Sequence, residues 1–199
     1  LLQKAVWYYN EGEYSTAGAI CQGLLTSHPD NAEAYHILGH IATRAQDQAA
    51  LDFFLRATRL SPTDPKFSRS LAECLENTGQ VDQAIIAWGR YTELKPDDLD
   101  ALRQLSLLQF RAGQHGDASE TLRAATDMYS DDPVLRYQFG LALYHSGDPV
   151  RAAEQFGIAL QLAENGSEWA ECQNALSAAM RECDRPEEAI KHASLAVAA

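Results

Sequence analysis

His36 and His40 lie four residues apart, one helical turn, and two neutral imidazoles so placed can share a metal ion. The plainer reading is a pair of polar residues lining the inner face of a helical array, and no metal site is assigned. His28, His115, His145 and His192 stand without an obvious carboxylate or cysteine partner in sequence. Of the four cysteines, Cys21 falls in a packing slot, where a thiol behaves as a small hydrophobe. Cys172 and Cys183 share a predicted helix about 16 Å apart along its axis, too far to bridge. No CxxC pair occurs, so neither disulfides nor structural zinc are expected. There is no P-loop, no GxGxxG after a strand, no GxSxG and no HExxH. No catalytic residue and no cofactor are expected within these residues.

The elements that carry these side chains announce themselves by period. Ala17, Ala50, Ala84, Ala118, Ala152 and Ala189 are separated by 33, 34, 34, 34 and 37 residues. A period of 34 is that of a helix–turn–helix repeat. Five residues before the alanine stand Gly12, Gly79, Gly113 and Gly147, where a first helix must end on a left-handed residue. Four after it come Cys21, Phe54, Trp88, Leu122, Phe156 and Ala193, on the same helical face as the alanine. Pro29, Pro62 and Pro96 close the second helices. In the first helices a bulky residue is followed by a small one: Leu38–Gly39, Leu71–Ala72, Leu105–Ser106, Phe139–Gly140, Leu176–Ser177. Such pairs let neighbouring helices approach closely, the bulk of one filling the gap above the other.

Departures from the period carry expectations of their own. The second repeat is one residue short and has Gln46 in place of the turn glycine, which predicts a tighter turn there. Ser130 and Glu164 replace the exit proline, and extra residues around Asn165–Trp169 predict a tilt of the last repeat. Asp132–Pro133 and Asp148–Pro149 read as an N-cap followed by proline at the first helical position.

Bulky-then-small pairs in helix one, small and aromatic slots in helix two and a proline at the exit together resemble the tetratricopeptide repeat family. The resemblance runs through the whole chain. It implies an all-α, right-handed α-solenoid of antiparallel helix pairs, with a partial repeat at 1–31, repeats at 32–64, 65–98, 99–132 and 133–166, and an incomplete sixth at 167–199. In that family the first helices line the concave surface and their exposed residues take the ligand. Mapped here, that surface holds Lys66 and Arg69 in repeat three, and Arg103, Gln104, Leu107, Phe110 and Arg111 in repeat four. Repeat five adds Val134, Tyr137, Gln138, Leu141 and Tyr144. The resemblance therefore implies a peptide site in which the cations meet carboxylates and the apolar side chains take anchors. In the alternative, Arg69 and Arg103 pair with Glu73, Glu76 and Asp100 along the groove and merely solvate it. The family's chaperone C-terminal clamp of lysine, asparagine and arginine has no match here. The amides Gln104 and Gln138 show a faint likeness to the asparagine ladder of the repeat-bearing O-linked N-acetylglucosamine transferases.

A net charge of −12 and a pI near 4.8 argue against nucleic acid and anionic membranes as partners. No run of 18 apolar residues occurs. A reducing cytoplasm is the favoured compartment, with a cysteine-tolerant periplasm as the alternative. The chain begins without methionine and stops inside a predicted helix, and so reads as an excised piece. The expected function is a non-catalytic scaffold that binds a peptide or protein segment in a concave groove. Two alternatives stand beside it: a substrate-recruiting region of a longer enzyme, such as a glycosyltransferase or sulfotransferase, and self-assembly through apolar faces near Leu1, Leu2 and Val6 or Leu195 and Val197.

Overall fold

The computed structural model describes the backbone of residues 1–163 and 167–198, and the side chains of residues 1–163 and 170–193. Twelve helices and no strand are found among these residues. The chain divides into two compact modules, Leu1–Pro96 and Asp97 onward. The N-terminal module pairs α1 (Leu2–Asn10) with α2 (Tyr14–Ser27), α3 (Ala32–Arg44) with α4 (Ala49–Leu60), and α5 (Pro65–Asn77) with α6 (Val81–Leu94). The C-terminal module pairs α7 (Leu99–Arg111) with α8 (His115–Met128), α9 (Pro133–His145) with α10 (Pro149–Leu162), and α11 (Ser167–Glu182) with α12 (Pro186–Ala198). The period alanines Ala17, Ala50, Ala84, Ala118, Ala152 and Ala189 stand in the second helix of each pair.

Local chemistry sets where these helices start. Asn31, Asp64, Asp98 and Asp132 cap α3, α5, α7 and α9, each side-chain oxygen accepting a backbone N–H of the first turn. That removes one of the donors a helix N-terminus leaves unpaired, and the carboxylates also suit its positive end. Asp148 does the same for α10, with Pro149 in the first turn.

The hairpin turns end on a left-handed residue, as at Gly79 with φ +74°. Gln46 takes the same conformation, with φ +54°, and so does Asp184, with φ +55°. Gln46 N–H reaches Thr43 O and Asp47 N–H reaches Ala42 O, matching the Gly79 and Gln80 bonds to Glu76 and Leu75 one repeat later. The expected tighter turn is therefore displaced: the missing residue comes out of the start of α4. There Ala50 N–H bonds back three residues to Asp47 O, where Ala84 N–H bonds back four to Gln80 O. A side chain in the left-handed region is strained, and glycine is not. Gln46→Gly is accordingly expected to stabilise the protein by about 0.5–1 kcal/mol, the relief being partly offset by glycine's freedom in the unfolded chain. Urea denaturation would check this; an unchanged or lower midpoint would contradict it.

The six period alanines are at most 5% exposed, and Ala118, Ala152 and Ala189 belong to the core of the C-terminal module. The small residues of the first helices face the bulky residues of the second. A Cβ on Gly39 would lie 2.6 Å from the Phe54 ring, and one on Gly140 would lie 2.5 Å from the Phe156 ring. Ser177 Oγ donates to Ala189 O at 2.8 Å in the last pair. The expected tilt around residues 165–169, the exit position Glu164 and the faces at Leu195 and Val197 lie outside the described side chains. At the other end Leu1 is 75% exposed, while Leu2 packs on the core of the N-terminal module. No helix among the described residues is long and apolar enough to cross a membrane.

Candidate functional site

A groove of about 400 Å³ opens in the C-terminal module. Its walls come from the first helices: Ser106, Leu107 and Phe110 of α7, Pro133, Val134, Tyr137, Gln138 and Leu141 of α9, and Glu171 and Cys172 of α11. Leu122 of α8 and Ala159 of α10 close its base. The lining is nearly all apolar for a physical reason. The period of the first helices buries one stripe in the core and leaves the next stripe half-covered between adjacent first helices. Leu107 and Val134 remain 40% and 37% exposed, whereas Phe110, Tyr137 and Leu141 are half-buried against the core. Polar chemistry in the groove is sparse. Gln138 Oε1 is buried with no hydrogen-bond partner. Burial, with Glu171 and Cys172 beside it, pushes the Tyr137 phenol above its usual range. Burial alone pushes the Cys172 thiol up to about 12, so it is an uncharged packing group.

Most of the cations named from the sequence already have carboxylate partners. Arg103 pairs with Asp132, the N-cap of α9, and Arg69 pairs with Glu73 at 2.9 Å. Lys66 pairs with Glu33 at 2.5 Å and Asp64 at 3.3 Å, and its pKa is raised chiefly by the bond to Glu33. Arg111, at the end of α7, is exposed and makes no ion pair among the described residues. Tyr144 donates its hydroxyl to Glu182, which raises the phenol's pKa.

In the N-terminal module His36 and His40 meet: their Nε2 atoms are 3.1 Å apart, and Ser70 Oγ is 2.9 Å from His36 Nε2. Burial is the main cause that lowers both imidazoles, with His36 at about 4, so they are neutral at neutral pH. No group of three or more His, Cys, Asp or Glu side chains converges among the described residues.

Residues 47–99 and 103–167 match one profile of the tetratricopeptide repeat, and residues 1–31 match another. The chain belongs to the tetratricopeptide repeat family. A curated relative, Protein CTR9 homolog of Arabidopsis thaliana, is 23% identical over 134 residues, which cover 64% of this chain but 12% of that protein. Among solved structures, YrrB, described as a tetratricopeptide protein with an unusual peptide-binding site, is 16% identical with a TM-score of 0.68. That likeness covers 89% of this chain and 90% of YrrB. MamA from Desulfovibrio magneticus RS-1, residues 41 to its end, is 18% identical with a TM-score of 0.63, over 83% of this chain and 93% of that one. At such identities these structures establish the solenoid fold of antiparallel helix pairs and nothing finer.

Of the residues the tetratricopeptide register singled out, Leu107, Phe110, Tyr137, Gln138 and Leu141 line one groove. Arg103, Gln104, Arg111 and Tyr144 sit on the same helices, α7 and α9, outside its lining. Lys66 and Arg69 belong to α5 in the other module. Glu171 and Cys172 were missed because the mapping stopped at repeat five. The spacing of 37 that links Phe139 to Leu176 also carries Val134 onto Glu171, so the signal was present.

Proposed function

We propose that this tetratricopeptide array is a non-catalytic interaction module whose C-terminal module holds a segment of a partner protein in the groove between α7, α9 and α11. The observation that carries this reading is the 400 Å³ opening itself, large enough for one or two big apolar side chains and walled by half-buried Phe110, Tyr137 and Leu141. Gln138 Oε1 has no partner, and a turn of its half-buried side chain would offer that acceptor to a backbone N–H of a segment laid along the helices. Arg111 offers a charge for an acidic residue beside the anchor. The peptide-binding site named for YrrB supports the same kind of partner.

The test is to select binders from a random peptide display library and measure their affinity for the parent and for Leu107→Glu and Leu141→Glu. Leu107 is exposed enough that its charge should leave folding intact. Burying an apolar anchor contributes about 1.5–3 kcal/mol, so either variant should weaken binding at least about tenfold. Selected peptides should share a large apolar residue. Peptides without one, or peptides bound equally by parent and variants, would rule this groove out as the site.

A further inference from the structure

The groove between α7, α9 and α11 is lopsided in its polar chemistry. Among the described residues that line it, the one charged side chain is Glu171 of α11, and no lysine or arginine joins it. Glu171 is exposed and makes no ion pair among the described residues. Burial and then Glu171 raise the pKa of the Tyr137 phenol, so the carboxylate stands within electrostatic reach of that ring. Other polar groups in the groove have spent their protons or offer none. Ser106 Oγ donates to Arg103 O at 2.9 Å, Cys172 Sγ donates to Phe156 O at 3.6 Å, and Gln138 Oε1 accepts nothing.

The repeat register shows what this chain does with such a carboxylate elsewhere. Steps of 33, 34, 34 and 37 residues align Glu33, Lys66, Asp100, Val134 and Glu171 at one slot of successive first helices. In the N-terminal module, neighbours in this slot are opposite in charge and meet. Lys66 Nζ lies 2.5 Å from Glu33 and 4.7 Å from the centroid of the Phe67 ring. In the C-terminal module the neighbour of Glu171 is Val134, which is 37% exposed and offers no charge. The carboxylate keeps an apolar wall and an aromatic ring beside it but lacks the lysine.

We infer that the segment held in this groove carries a lysine or arginine next to its apolar anchor, on the side toward α11, where the basic head meets Glu171. The inference rests on the groove being the binding site. The aliphatic stem of such a residue lies along Val134 and Tyr137 while its charge stays at the exposed rim, and the Tyr137 ring adds attraction for a cation. A net charge of −12 draws a basic segment in from a distance. Arg111 stands on α7, across α9 from α11. A segment with its acid toward α7 and its base toward α11 therefore has one orientation across the groove.

Peptides selected on the parent from a random display library should carry a basic residue at a fixed spacing from the large apolar one. For such a peptide, Glu171→Gln should weaken binding about two- to fivefold at low salt, as one accessible ion pair allows, and added salt should shrink that loss. Changing the peptide's basic residue to glutamine should cost the same on the parent and nothing further on Glu171→Gln. That peptide-side change leaves the protein untouched, so it reads the contact even where the variant alters stability. Selection repeated on Glu171→Lys should enrich aspartate or glutamate at the same spacing. Peptides that are weakened by Leu107→Glu but carry no basic residue, or bind the parent and Glu171→Gln equally at low salt, would overturn the inference and leave the groove as the site. Peptides indifferent to Leu107→Glu and Leu141→Glu as well would remove the groove, and this inference with it.

Discussion

Gly140→Ala is expected to lower the unfolding free energy by up to about 2 kcal/mol, a large effect for the addition of one methyl group. A Cβ at this position would sit 2.5, 2.6 and 3.0 Å from Cε1, Cδ1 and Cζ of Phe156, closer than real Cβ contacts come. Phe156 has no exposed surface, so its ring cannot swing away without displacing the core of the C-terminal module. Overpacking of this kind costs about 1–3 kcal/mol, and the better helix propensity of alanine, about 1 kcal/mol, offsets only part of it. The mechanism predicts its own rescue. Phe156→Leu removes Cε1 and Cζ and leaves δ carbons that can rotate away from the new methyl, so adding Gly140→Ala to that background should be nearly neutral, with a coupling of about 2 kcal/mol in a double-mutant cycle read by urea denaturation. Simple additivity would show that the two residues do not collide. Gly39 meets Phe54 in the same way in the N-terminal module, at 2.6–2.9 Å, and the same cycle should give the same sign there.

That contact was legible in the sequence because it recurs. A bulky–small pair in helix one and a large residue four after the alanine repeat at one period, and each copy meets the same packing demand. The period also placed the helix pairs, and the Asp–Pro dipeptides at 132–133 and 148–149 placed two of the caps. What the period could not convey was anything that depends on an exception or on distance. Gln46 breaks the glycine column yet keeps its left-handed backbone, because the bonds to Thr43 and Ala42 fix the turn and the missing residue is absorbed at the start of α4. Among the site residues, the apolar ones could be read from the face they occupy, whereas the state of the cations could not. Arg69 does pair within its own helix, with Glu73. Arg103 reaches neither Asp100 nor any other residue of α7 for its ion pair but Asp132, 29 residues on, because the next first helix begins alongside it. The partner of Tyr144 is likewise 38 residues away, on α11.

Asp132 joins these two levels, which makes its substitution the more informative of the two core experiments. One carboxylate oxygen accepts the Leu135 N–H at 3.0 Å and caps α9, while the other holds Arg103 of α7 beside the groove. Arg103 Nε is buried without a partner, so the guanidinium depends on Asp132 for compensation. Asp132→Ala removes both functions. Loss of the cap costs about 1 kcal/mol, and stranding a partly buried guanidinium adds about 1–2 kcal/mol, well below a fully buried pair because both side chains keep access to water. A loss of about 2–3 kcal/mol is therefore expected. Asp132→Asn keeps a good capping oxygen and gives up only the charge, so it should lose about 1 kcal/mol. Added salt should narrow the gap between parent and Asp132→Asn, since an accessible pair is screened. Equal destabilisation by alanine and asparagine would assign the whole effect to the ion pair and none to the cap. The asparagine variant also frees Arg103 while leaving α9 correctly started. If the groove between α7, α9 and α11 takes a partner segment, Asp132→Asn should strengthen its binding to peptides with an acidic residue near the apolar anchor and leave neutral ones unchanged. A cap that works only for folding would leave both unchanged.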